Sequence, residues 1–308
     1  MKFKRKNILA KKLLFLDGLS GSGKSLITPI LTSLNNSEFY LYDHLFDEIL
    51  ILLENKKISF NGAQSLLKTH ADMNMYNIML GRNVNFRATD HSGVYYGMLK
   101  NKFDKRLNLK DGKQIIKSIY KDGKWLPIIT HYVLPYFKNL KKIFNDRKLL
   151  FVSVARDPIY LINSFNKNDW EKKIISNPKD LTLTYIDKFS KFNPWYFKGI
   201  NQNMSFIEKY AEYVLKYFYF QKNFEKKNHH IIYYENFVKD PKRELSKLYK
   251  IIGYETIITK KLLKKFELPR KIKKSDTNKI ILPDVINNNN KLKKKIINTY
   301  ENYLKNID

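Results

Sequence analysis

The sequence predicts an α/β fold of three layers, a central parallel sheet with helices on both faces and a helical insertion. Three observations predict it. Short apolar runs alternate with segments of helical periodicity along the 308 residues. A glycine-rich loop joins the first apolar run to the first helix. The clearest run, 149–155 (LLFVSVA), is apolar at nearly every position, as in a strand buried on both faces.

In order, residues 13–16 (LLFL) read as the first strand and 26–34 as a helix. Residues 39–42 (FYLY) read as a second strand, and 44–53 are apolar at helical spacing. Residues 55–125 show local helices, for example over 63–76, and no clear strand, so they read as an insertion over a ligand site. Residues 128–130 are a short strand, 149–155 the buried one, and 160–165 begin the next helix. Over 205–226 the aromatics Phe206, Tyr210, Tyr213, Tyr217 and Phe220 recur at spacings of three and four, a core-facing stripe. Residues 231–234 are a late strand and 241–252 a helix with Pro241 in its first turn. Residues 260–308 form a Lys- and Asn-rich C-terminal extension of short helices and loops. No linker rich in Gly, Pro or Ser interrupts the chain, so residues 1–308 read as one domain.

Composition excludes several classes. Hydrophobic residues make up 43 % and aromatics 14 %, which excludes wholesale disorder. Cysteine is absent, so disulfides, thiolate zinc sites and Cys nucleophiles are excluded. The net charge is +29, from 58 Lys+Arg against 29 Asp+Glu, but the lysines are spread along the whole length. They read as a solvated surface. Zinc-finger, basic-zipper and RNA-recognition signatures are missing, so no nucleic-acid partner is expected. No apolar run nears the roughly 18 residues that span a bilayer. Residues 13–16 are too short for a signal-peptide core and lead into glycines instead of a cleavage site. A cytoplasmic protein is expected.

Residues 18–25, GLSGSGKS, fit G-x-x-x-x-G-K-[ST] without a mismatch, between strand and helix, and make the fold P-loop NTPase-like. Glycines let successive N–H groups turn toward phosphate oxygens. The following helix adds its free N–H groups and positive end. Lys24 adds a point charge and Ser25 a hydroxyl. The loop demands a phosphorylated ligand without naming a reaction. A second anion site is suggested where strand 149–155 runs into Arg156-Asp157-Pro158, with Ser164 two turns into the next helix.

These segments, in this order, resemble the sulfotransferase family. The family has a phosphate loop after its first strand. It then has a K-T-H and L-P region, matched by Thr130-His131 and Leu134-Pro135, and a strand into R-D-P with a serine eight residues after the arginine. It closes on a run similar to residues 234–245 (YENFVKDPKREL), ending at Ile252-Gly253. The resemblance implies 3′-phosphoadenosine-5′-phosphosulfate (PAPS) as sulfuryl donor and a hydroxyl or amine acceptor, with a saccharide as one candidate. It implies that Arg156 and Ser164 hold the 3′-phosphate and that Ser20, Gly21, Ser22, Gly23, Lys24 and Ser25 hold the 5′-phosphosulfate. Tyr234 would sit near the adenine. Lys24 would stabilise the leaving oxygen and His131 would be the general base, with no metal expected. The sequence departs from the family in three places. Gly21 and Ile129 stand where the family has basic residues, and its late R-K-G motif is matched only by Arg270-Lys271. The GSGKS loop also suits a P-loop kinase for a small molecule or glycan, which is the alternative function. Asp43 and Asp90, the latter in the polar run 81–92, are alternative bases. The basic surface would suit an acidic glycan.

Overall fold

The computed structural model describes residues 6–32, 36–40, 43–95, 100–109, 112–224, 226–252, 260–271 and 281–307. Its strands are β1 (Lys12–Gly18), β2 (Trp125–Ile129), β3 (Lys148–Ala155), β4 (Thr184–Ile186), β5 (Phe192–Pro194) and β6 (His229–Tyr233). Four of them form one parallel sheet in the order β2-β1-β3-β6, while β4 and β5 make a small antiparallel pair. The expected α/β fold with a central parallel sheet is therefore present.

Helices α1 (Lys24–Thr32), α2 (Leu45–Glu54), α3 (Phe60–Met79), α4 (Lys100–Leu107) and α5 (Gly112–Asp122) lie between β1 and β2. Then α6 (Phe137–Ile143) leads to β3. Helices α7 (Pro158–Lys167), α8 (Trp170–Ser176) and α9 (Phe206–Lys222) precede β6, and α10 (Tyr234–Lys239) and α11 (Pro241–Ile252) follow it. The chain ends with α12 (Lys260–Lys265), α13 (Asp284–Asn287) and α14 (Asn290–Leu304).

The sheet is apolar on both faces because successive side chains point to opposite sides. Leu13, Phe15, Leu149 and Phe151 face one core with residues of α2, α3, α6, α7, α9 and α14. Leu14, Leu16, Leu150, Val152 and Val154 face the other with α1, α10 and α11. The aromatic stripe of α9 is core as expected: Tyr210, Tyr213 and Tyr217 are buried, and Tyr210 stacks on Phe165 at 3.6 Å.

Three sequence expectations shift. Phe39 and Tyr40 form no strand, Leu41 and Tyr42 lie outside the described residues, and the segment's contribution is a single bridge from Ser37 to Trp125. The second ladder strand is β2, which begins at Trp125, earlier than the apolar dipeptide Ile128-Ile129 suggested, because Lys12 to Leu16 pair with Trp125 to Ile129. The tail ends in the 15-residue α14, longer than the expected short pieces. Its Leu292, Ile296, Tyr300 and Tyr303 are buried, chiefly against α9 and α7. Gly253 lies outside the described residues.

Candidate active site

After β1 the chain goes to one side for β2 and to the other for β3, so the carboxyl end of β1 is a topological switch point, where parallel sheets bind ligands. The phosphate loop lies there. Gly21 and Gly23 adopt φ of +81° and +101°, values L side chains rarely take. At Gly23 a Cβ would also strike the Tyr234 ring. The Ser22 hydroxyl is buried in the loop without a hydrogen-bond partner among the described residues. Beside the loop is a cavity of about 620 Å³, lined by residues 19–26 and by His131, Arg156, Trp170, Tyr234 and Arg270. Turned glycines, an orphaned hydroxyl and two arginines fit a phosphorylated ligand.

Lys24 is nearly buried, and its ammonium donates to the carbonyls of Gly18 and Leu19. Burial pushes it down to about 8, against Asp17 and Asp47, which raise it. Arg156 donates to the Gly21 carbonyl at 2.7 Å and lies between two rings, 3.6 Å from Tyr160 and 4.1 Å from Tyr234. Ser164 reaches the same glycine, with its Oγ 3.7 Å from where a Gly21 Cβ would be; it accepts from Asn168 and does not line the cavity. Of the late basic pair, Arg270 lines the cavity, held by Phe266 and Glu267 carbonyls.

His131 follows β2. Its backbone N–H donates to Asp47 at 3.1 Å, and its Nδ1 lies 3.3 Å from Asp47 Oδ2. Burial, then Lys24 and His44, pushes its imidazole well below the usual value. Burial and nearby Asp17 push Asp47 well above the usual carboxylate range, against the His131 N–H and Lys24. The tautomer sets the roles in this contact: with Nδ1 donating to Asp47, a neutral ring keeps Nε2 as an acceptor. The ring of His44 stacks on that of His131 with centroids 5.7 Å apart.

The alternative carboxylates are engaged elsewhere. Asp43 bonds His70 and Asn74, and these bonds, outweighing its burial, hold it below the usual carboxylate range. Asp90 accepts from the Ser92 backbone and hydroxyl within its own loop. His44, Asp47 and His131 bring three ligand-type atoms within 4.8 Å of one another, a spacing able to hold a divalent ion. The charge of Lys24, which acts on both Asp47 and His131, opposes one.

Sequence reasoning missed three residues. Asp17, buried at the end of β1, accepts from Thr130 Oγ1 (3.0 Å), the Val133 and Leu134 N–H groups (3.3 and 3.0 Å) and the Tyr217 hydroxyl (2.8 Å). Tyr132, at φ +65°, bonds the Ser20 hydroxyl and stacks on Tyr196 at 4.4 Å. Asp47 sits one turn past His44, and that i, i+3 spacing was its only signal. A second cavity, of about 180 Å³, shares Ser20, His131 and Trp170 with the first.

A model of the sulfotransferase domain family matches residues 68–307, a range that includes His131, Arg156, Ser164 and Tyr234 but not the phosphate loop. No curated protein matches the chain. Similar solved structures include the sulfotransferase domain of the curacin biosynthetic pathway, at 15% identity over 82% of this chain and 77% of that one (TM-score 0.41). The sulfotransferase domain of the Synechococcus PCC 7002 olefin synthase is 11% identical over the whole of both chains (TM-score 0.47). A Mycobacterium avium sulfotransferase is 12% identical over 98% of this chain and 78% of that one (TM-score 0.42). Family membership rests on the match over residues 68–307, not on these distant likenesses.

Proposed function

The chain belongs to the sulfotransferase family, and from that premise we propose that it moves a sulfuryl group from PAPS to a hydroxyl or amine of an acceptor, a saccharide among the candidates. The observation that carries the donor assignment is Arg156, lodged between Tyr160 and Tyr234 and bonded to the Gly21 carbonyl. It sets a second cation beside the phosphate loop, as a nucleotide phosphorylated at both ends requires. Ser164, against the same glycine, would share the 3′-phosphate. Tyr234, in contact with Gly23, would meet the adenine. The loop from Ser20 to Ser25 would take the 5′-phosphosulfate.

Sulfuryl transfer, like phosphoryl transfer, spreads negative charge over equatorial and leaving oxygens, so positioning and cationic stabilisation do most of the catalysis. Lys24 would exchange its loop carbonyls for the leaving oxygen. His131, with Nδ1 held by Asp47, would take the acceptor's proton on Nε2. No step requires a metal. A cytoplasmic location belongs to the same proposal, supported by a chain without cysteine.

Calorimetry tests the donor: 3′-phosphoadenosine-5′-phosphate against ATP with Mg²⁺, on wild type and Arg156→Ala. The expected result is a bisphosphate preference that drops at least tenfold in the variant. A preference for Mg-ATP indifferent to Arg156 would replace this reading by the kinase one.

A further inference from the structure

We propose that the smaller cavity takes an uncharged or amino-bearing saccharide residue as sulfuryl acceptor and turns away an acidic one. This rests on the donor reading above and narrows its acceptor. The shared Ser20, His131 and Trp170 put whatever enters this cavity next to the candidate base and the phosphate loop.

The charge of this cavity runs against that of the whole chain. The protein carries +29, yet the acids lining the cavity are Glu48, Asp180 and Asp47, the last pushed toward its neutral form by burial, with Lys179 the one Lys or Arg among the described lining residues. Lys179 is exposed and screened by water, whereas Asp47 is buried and Glu48 and Asp180 are half-buried. Asp47 is already engaged by His131, which leaves Glu48 and Asp180 as the lining carboxylates to meet an acceptor. Asp180 is held in place by the Thr182 N–H at 2.9 Å. A carboxylate accepts hydrogen bonds from hydroxyls or an ammonium group and repels a uronate or an existing sulfate. Trp170, half-buried, also lines the cavity and offers flat apolar surface, with buried Trp195 behind it in the lining. The C–H face of a sugar ring can lie on such a surface while its hydroxyls meet the acids. The volume, about 180 Å³, has room for one sugar ring beside His131. The surface charge alone would suggest an acidic glycan, and the residues beside the base argue the reverse.

The test is transfer of labelled sulfuryl from PAPS to three matched disaccharides: N,N′-diacetylchitobiose (neutral), chitobiose (amine-bearing) and cellobiouronic acid. Bisphosphate binding by calorimetry on the same sample reads the donor site separately. The neutral or amine-bearing acceptor is expected to turn over about tenfold or more faster than the uronate. The double variant Glu48→Gln/Asp180→Asn should shrink that ratio toward one with bisphosphate affinity unchanged. Equal or faster transfer to the uronate overturns the proposal, as does an unaltered ratio in the folded double variant. Bisphosphate binding with no transfer to any of the three also overturns it while leaving the donor reading intact. Loss of bisphosphate binding in wild type removes the donor reading, and this proposal with it. The wild-type ratio decides even where the variant fails to fold.

Discussion

Lys24 is held by its own loop, and that has a measurable consequence. Its ammonium sits on two backbone carbonyls, with burial lowering it to about 8. A phosphate oxygen binds the protonated form, and the free protein loses that proton as pH rises through about 8. Bisphosphate affinity should therefore be level from about pH 7, where the ligand's phosphates are already doubly ionised, to about pH 8 and fall above it. In Lys24→Met the affinity at neutral pH should be about tenfold lower or more, without the alkaline fall. Calorimetry across pH checks both, and a wild-type affinity constant to pH 9.5 would sink the assignment. At this scale the loop was legible in the sequence, because phosphate cradling is local: eight consecutive residues carry strand end, glycines, lysine and hydroxyl. Asp47 was not, since its meaning depends on α2 packing against the end of β2, 84 residues away.

Asp17 shows how one strand end organises the next. Its four accepted bonds tie the segment after β2, and the Tyr217 hydroxyl of α9, to the end of β1. The same segment carries His131 and left-handed Tyr132. Asp17→Ala would strand several buried donors and should lower unfolding free energy by about 3 kcal/mol or more. Urea unfolding measures it, and a loss under about 1 kcal/mol would mean the clamp is not structural. Periodicity identified α9 and its buried face correctly. It could not show that Tyr213 and Tyr217 also reach across the core with their hydroxyls, Tyr213 to the Tyr132 carbonyl at 2.7 Å and Tyr217 to Asp17. Likewise residues 39–42 have the aromatic character of a strand, yet Phe39 and Tyr40 are buried as core without joining the ladder.

Across the whole molecule, two apolar layers sandwich one parallel sheet, and the C-terminal helix completes one of them. Ile296 of α14 is fully buried in the layer that contains α9. Ile296→Ala should cost about 2–5 kcal/mol. An unchanged denaturation midpoint would show that α14 is an appendage. Among the described residues no helix is long and apolar enough to cross a membrane. By itself the sequence determined the alternation of strands and helices, the parallel sheet and the phosphate loop. It also supplied the Arg156 and His131 signatures, since each is written in residues close together in the chain. Only the tertiary structure decided which carboxylate meets His131, what holds the segment that carries it, and that an acid-lined cavity lies beside His131 on so basic a protein. Those facts depend on side chains from β1, α2, β2, α8 and α9 converging at one end of the sheet. Strand register and helix packing set that convergence, and no local pattern in the chain encodes it.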